Sequence, residues 1–318
     1  MKKYIDTGKI DTRSGFGEGL VIAGRQNPDV LALTADLKGS LKMGAFAKEF
    51  PDRFIQCGIA EANMVGVAAG LAITGKIPFI GSFAEFVTGR VYDQLRQEVA
   101  YGHTNVKIAS SHAGITLGED GATHQTMEDI ALMRALPGMT VIVPCDYNQT
   151  KNATIAAAAF DGPVYLRFGR PSVPNFTGAD EPFEIGKIYN LNPGKDVTIV
   201  ACGHLVWEAL GAAEMLEAEG ISAEVLNVAT VKPLDEKALL ESIGKTGCVV
   251  VAEEHNMAGG LGEAVAGVLA ASSPAPVEFI NGGDRFGQSG TPAELMKAYG
   301  LDAATLAGAA KKAIYRKK

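Results

Sequence analysis

The chain has 318 residues, room for two domains at about 150 residues each, and 47% apolar against 20% charged residues marks it as globular rather than disordered. A net charge of −7 with no basic stripe argues against nucleic acid as the main partner, and no apolar run is long enough to span a bilayer. The N-terminus, MKKYIDTGKI, carries Lys2 and Lys3 but no apolar signal segment, so the expectation is a cytoplasmic protein without membrane association.

Short β-branched runs alternate with helical patterns from the start. A helix is predicted over 14–26, ending near Pro28, followed by strands over 30–35 and 53–57. Next come a helix of small residues over 60–74, a strand over 77–81, a helix over 88–101 and a strand over 106–110. Residues 112–125 read as a flexible glycine-rich loop. A helix over 127–135, a strand over 140–143, a helix over 148–160 and a strand over 164–167 complete the first half. Residues 169–195 hold Pro171, Pro174, Pro182 and Pro193 with no helical period, and read as a linker. The alternation then restarts, with strands over 197–201, 223–228, 248–253 and 277–280 and helices over 206–219, 235–242, 261–271, 292–299 and 303–316. This pattern predicts an α/β protein of two doubly wound domains with mainly parallel sheets, roughly 1–175 and 185–318.

Cys57, Cys145, Cys202 and Cys248 form no C-x-x-C pair and sit in or at the ends of apolar stretches, so they read as small buried thiols. Glycine is abundant, at 38 residues, as tight strand-to-helix turns and close backbone approach to a ligand require. The stretch AGGLGEAV (258–265) is not a dinucleotide fingerprint, because Val265 stands where the third small residue belongs. It reads as a close turn between helix and strand.

In open α/β sheets ligands bind beyond the carboxyl ends of the strands, so the segments after each strand are the place to look. GIAEANMVGVAAGLA (58–72) places one carboxylate, Glu61, at the start of a helix with no further charge until Lys76. Such a helix reads as buried all round. Glu61 is either a residue that compensates the helix dipole or a carboxyl in a dry site, suited to hold a proton against a ligand nitrogen. GSFAEFVTGR (81–90) puts Phe83 and Phe86 three apart past a strand, as core packing or as an aromatic wall for a flat ring. SHAGITLGEDGATHQ (111–125) carries His112, Asp120 and His124 between glycines. It lacks the spacing of a metal site, so no metal ligands are assigned, and proton transfer or hydroxyl recognition by neutral imidazoles is the preferred reading. Arg13 beside the first helix, Ser40 after LTADLKG, and Arg167 and Arg170 in LRFGRP are candidate anion handles.

The order and spacing of these segments resemble the transketolase family of thiamine diphosphate enzymes, and the whole chain is similar to the C-terminal subunit of a split transketolase. GIAEANMVGVAAGLA and the H-x7-D-x3-H loop carry the resemblance; the arginines support it. It implies a pyrimidine-binding domain over 1–175, a linker over 176–185 and a transketolase C-terminal domain over 186–318. By position, Glu61 matches the glutamate that hydrogen-bonds the cofactor's aminopyrimidine, and Phe83 and Phe86 match aromatics around that ring. Leu37 and Ile59 match apolar supports of the bent cofactor, and Asp36 an aspartate at the cofactor and donor sugar. His112, Asp120 and His124 match residues that contact sugar hydroxyls and assist proton transfer. Arg13, Ser40 and Arg170 match the acceptor phosphate site.

The implied reaction moves a two-carbon ketol unit from a ketose phosphate to an aldose phosphate. Gly89 departs from the family, standing where a third ring-packing tyrosine is common, and Ala113 replaces an aspartate. The run HAGIT is similar to deoxyxylulose phosphate synthases, though those usually lack a histidine matching His112. A synthase of that kind, a 2-oxoacid dehydrogenase E1 beta-type subunit and a non-catalytic regulatory subunit are the alternatives. The family's GDG…N motif for diphosphate and metal has no counterpart, since Gly283-Asp284-Arg285 lacks the second glycine. The resemblance therefore implies an N-terminal partner subunit that holds the diphosphate with Mg²⁺ or Ca²⁺, in an α2β2 assembly.

Overall fold

A computed structural model describes residues 4–317; Lys2 and Lys3 lie outside the described residues. The strands are β1 (Lys9–Asp11), β2 (Val30–Thr34), β3 (Phe54–Gln56), β4 (Ile77–Phe83), β5 (Lys107–Ser111), β6 (Thr140–Ile142) and β7 (Val164–Arg167). They continue as β8 (Ser172–Pro174), β9 (Tyr189–Asn192), β10 (Val197–Ala201), β11 (Ala223–Asn227), β12 (Thr230–Lys232), β13 (Val249–Ala252) and β14 (Val277–Ile280). Seven strands form one sheet in the order β12-β6-β7-β5-β4-β2-β3, and five form a second in the order β14-β13-β10-β11-β9. Only β12 and β9 run antiparallel to their neighbours in these sheets. Every residue of β2, β5, β6, β7, β10, β11 and β13 is buried, as strands covered by helices on both faces must be. The α/β expectation of two parallel-rich sheets is met.

The first helix, α1 (Thr12–Gln26), is started by Asp11, whose carboxylate accepts from the Ser14 N–H at 3.1 Å. It packs directly on the helix Tyr147–Ala159, because Gly15 and Gly19 leave no side chain between them. A Cβ on Gly15 would stand 2.3 Å from the Tyr147 carbonyl oxygen. The helix α2 (Gly44–Glu49) follows β2, and α3 (Glu61–Ile73) follows β3.

Four expectations change. The predicted helix over 88–101 is broken: one turn, Ala84–Val87, stops where the Thr88 hydroxyl donates to the Ala84 carbonyl, and Tyr92–Gln94 runs into a wide π-helical segment, Leu95–Tyr101. The stretch read as linker contains β8, paired with β1, and β9 at the edge of the second sheet. Strand β12, from the second half of the chain, pairs with β6 and completes the first sheet, and Lys232 Nζ donates to the carbonyl of Arg134 at 2.8 Å. The two halves thus share a sheet edge as well as a core. Finally, α3 is not buried all round: Met64, Val65, Ala68 and Ala69 face the core, while Ala62, Asn63, Val67, Gly70 and Ile73 are exposed.

Three of the four thiols are buried and Cys57 is half-buried; all are free. The 258–265 stretch is indeed a close turn. The Glu253 carboxylate accepts from the Leu261 and Gly262 N–H groups, each at 2.7 Å, at the start of the helix Leu261–Ser272, and a Cβ on Gly260 would strike it. Among the described residues no helix is long and apolar enough to cross a membrane.

Candidate active site

Most of the sequence-chosen residues lie beyond the carboxyl ends of β2, β3, β4, β5 and β7, the ligand side of an open α/β sheet. Glu61 opens α3 and is only 4% exposed. Its two carboxylate oxygens lie 3.2 and 3.1 Å from Nη1 of Arg90, whose side chain is half exposed. The guanidinium of Arg90 also lies over Phe86, 4.1 Å from the ring centroid.

Phe83 ends β4, and Phe86 lies one turn further on. Their rings stack at 5.9 Å between centroids with 22° between planes, so the spacing of three does place them on one face. The imidazole of His112 stacks on Phe83 at 3.9 Å, and His124 meets Phe86 edge-on at 5.4 Å. Glu61, Arg90, Phe86, Phe83, His112 and His124 therefore form one connected surface.

His112 has a left-handed backbone, φ 60°, and its Nδ1 lies 2.7 Å from the Ser111 hydroxyl. Burial, with the positive charges of Arg13 and Arg170 nearby, pushes its pKa down to about 3. The ring is neutral at physiological pH and presents both a donor and an acceptor. His124 is half-buried, its Nδ1 3.0 Å from the Thr123 hydroxyl.

The loop that carries them is not flexible. Residues 111–118 are buried, and the second half of the chain pins them. The Thr116 N–H donates to the Glu254 carboxylate at 2.6 Å. The Gln125 side-chain amide donates to the carbonyls of Ile115, Gly118 and Gln288 at 2.9, 3.1 and 3.0 Å. Gly114, at φ 84°, is required here, because a Cβ would stand 2.3 Å from the Glu254 carboxyl carbon. Asp120 lies on the exposed part of the loop.

The anion handles divide. Arg13 Nη1 donates to the Ser40 carbonyl at 3.2 Å, which brings those two residues together, and its Nε pairs with Asp11. Arg170 donates to the Leu117 carbonyl at 2.8 Å and pairs with the exposed Glu119. Arg167 is no anion handle: it is buried in an ion pair with Asp129 at 2.6 Å and donates to the Glu254 carbonyl at 2.8 Å. Asp36, at φ 61°, is exposed and tied through its backbone N–H to Gln56 at 2.8 Å. Leu37 is half-buried, while Ile59 is 78% exposed.

Two residues at the site escaped the sequence reading. Arg90 is the only arginine between Arg53 and Arg96, the one signal that marks it. Glu85 stands nearby, its pKa raised by burial and then by the Glu128 carboxylate, with Arg90 opposing.

Residues 8–175 match the family described as transketolase, pyrimidine binding domain, and residues 186–306 match transketolase, C-terminal domain. The putative transketolase C-terminal section of Methanocaldococcus jannaschii is 48% identical over 298 residues, 93% of each chain. The 6-deoxy-6-sulfo-D-fructose transketolase subunit SqwH of a Clostridium species is 44% identical, over 96% of this chain and 95% of that one. A solved structure described as a split gene transketolase, inactive beta4 tetramer, superposes with a TM-score of 0.90 at 48% identity, covering 98% of this chain and 100% of that one. With both domain families matched in order and a close relative aligned over nearly its full length, this chain belongs to the transketolase family.

Proposed function

We propose that this chain is the C-terminal, catalytic subunit of a split transketolase that uses thiamine diphosphate to move a two-carbon ketol unit from a ketose phosphate to an aldose phosphate. The observation that carries this reading is the buried Glu61 carboxylate beside the Phe83–Phe86 wall. The residues fit an aminopyrimidine, because a flat group with N–H donors, the Arg90 guanidinium, already lies on Phe86 and donates to Glu61.

When bound, the cofactor supplies the electron sink for carbon–carbon cleavage. The chain's own residues do the rest. Glu61 holds a proton at the pyrimidine nitrogen, and Phe83 and Phe86 fix the ring, with Leu37 and Ile59 as apolar supports. Neutral His112 offers hydrogen bonds to sugar hydroxyls, and His124 with Asp120 assists proton movement at the same hydroxyls. Asp36 faces the donor sugar. Arg13, Ser40 and Arg170 hold the acceptor phosphate.

The reading divides the chain at a linker over 176–185 and requires an N-terminal partner that carries the diphosphate and a divalent cation, Mg²⁺ or Ca²⁺, in an α2β2 complex. Its supports are the relative named as a C-terminal section and the neighbour described as a split gene transketolase. The exposed Ile59, two residues before α3, and Ile73, its last residue, each 78% accessible, are a further support. The test is transfer from xylulose 5-phosphate to ribose 5-phosphate by the reconstituted pair. Glu61→Ala should lower turnover by at least about a hundredfold. Activity that survives Glu61→Ala, or pyruvate consumption in place of ketol transfer, would overturn the assignment.

A further inference from the structure

The Arg90 guanidinium does two things at once. It lies 4.1 Å from the Phe86 centroid, and its Nη1 donates to both Glu61 oxygens at 3.1 and 3.2 Å. A planar group with N–H donors, stacked on the aromatic wall and bonded to the buried carboxylate, makes the two contacts that the reading above gives to the cofactor's aminopyrimidine. We propose that Arg90 is a place-holder for that ring, so that cofactor binding requires Arg90 to leave Glu61. The inference rests on the proposed role of Glu61 and adds a positioning residue to it.

Two physical points support displacement. Glu61 is 4% exposed at the start of α3, so its oxygens have little freedom to turn toward a second partner. Both Glu61 oxygens already accept from the Arg90 guanidinium, so a hydrogen bond from a ring nitrogen competes with Arg90 for the same acceptor atoms. Arg90 is free to move outward. Its side chain is half exposed, and it sits on the irregular link between the turn Ala84–Val87 and Tyr92–Gln94. A Cβ on Gly89 would make only ordinary contact with Glu85 atoms, at 3.6 and 3.7 Å, so the backbone before Arg90 is not tightly packed against Glu85. The Glu85 carboxylate is close enough for the charge of Arg90 to favour its charged form.

The experiment measures thiamine diphosphate dissociation constants by calorimetry on the reconstituted two-subunit complex, with inorganic pyrophosphate as a probe that lacks the pyrimidine. Arg90→Ala should tighten thiamine diphosphate roughly fivefold, the scale of a half-exposed ion pair. Arg90→Lys, which keeps the charge and loses the flat face, should have a smaller effect, and pyrophosphate binding should not change. Unchanged or weaker thiamine diphosphate binding in Arg90→Ala overturns the proposal, as does an equal gain for pyrophosphate. Glu61→Gln separates the two levels. If it leaves thiamine diphosphate binding intact, or the native complex does not bind it at all, the role of Glu61 fails and the place-holder with it. If Glu61→Gln weakens binding while Arg90→Ala does not tighten it, only the place-holder fails.

Discussion

His112 makes the stability of this chain depend on pH in a way that one substitution isolates. An unfolded-state imidazole takes up its proton near pH 6.5, whereas in the folded chain burial and the two arginines lower that value to about 3. Between pH 6.5 and about 3 the unfolded state binds up to one more proton than the folded state, so stability decreases as the pH is lowered. The contribution is fully present above about pH 6.5 and is lost progressively toward pH 3, at about 1.4 kcal/mol per pH unit. Between pH 6.5 and 4.5 the native chain should therefore lose roughly 2 kcal/mol more than His112→Gln, whatever the variant costs at neutral pH. Urea unfolding of both proteins at half-unit intervals reads this directly, and the imidazole resonance of His112 gives an independent value. Parallel stability curves, or a ring that titrates near 6.5, would refute the reasoning. The functional counterpart is that no acid limb of the activity profile near pH 6.5 belongs to this histidine.

Asp129 is buried with Arg167 at 2.6 Å and accepts from the Tyr165 hydroxyl at 2.6 Å, so Asp129→Asn strands a buried guanidinium and should cost about 3–5 kcal/mol. Thermal melting checks it, and an unchanged midpoint contradicts it. Gln125→Ala removes the three amide bonds that tie the loop to itself and to Gln288; amide exchange over 115–118 should accelerate before global stability falls by more than about 1–3 kcal/mol. Exchange rates equal to the native ones would show that Glu254 alone holds the loop. Arg13→Ala and Arg170→Ala should each raise KM for a phosphorylated acceptor by about tenfold, with little effect on an unphosphorylated one. Both should also raise the proton affinity of His112, since each arginine opposes its charge.

The fold was legible wherever burial alone decides the residue type. Strands β7, β10 and β14 and the helix Ala303–Arg316 have the predicted bounds. β7 (VYLR) and β10 (VTIVA) are mostly apolar and buried at every position, and Asp302 caps the helix by accepting from the Thr305 N–H. Strands β1, β8 and β12 were not legible. They have three residues each, as do β3 and β6, which were predicted, but they lack the strand–helix alternation around them and each exists because of a distant partner. β12 meets β6 nearly ninety residues back in the chain and stops at Pro233, which supplies no N–H.

At the site, composition and spacing found the carboxylate, the aromatic wall and the histidines, because each follows a strand end. They missed what depends on three-dimensional neighbours. The loop over 112–125 looks mobile from its glycines and polar residues, yet Glu254 and Gln288 rigidify it from more than 130 residues away. Arg167 and Arg170 are indistinguishable by type, and only the position of Asp129 makes one structural. The face of α3 that carries Ala62, Val67, Gly70 and Ile73 is the most informative mismatch. Its composition is that of a helix covered on every side, but this chain covers only the half that carries Met64, Val65, Ala68 and Ala69. Side-chain chemistry is shaped by every surface a residue meets in the working assembly, whereas one chain exhibits only the contacts it makes with itself. An apolar helix face beside Glu61, left open at the mouth of the site, is what half of a two-chain active site would look like. The partner proposed above would remove the mismatch by covering that face.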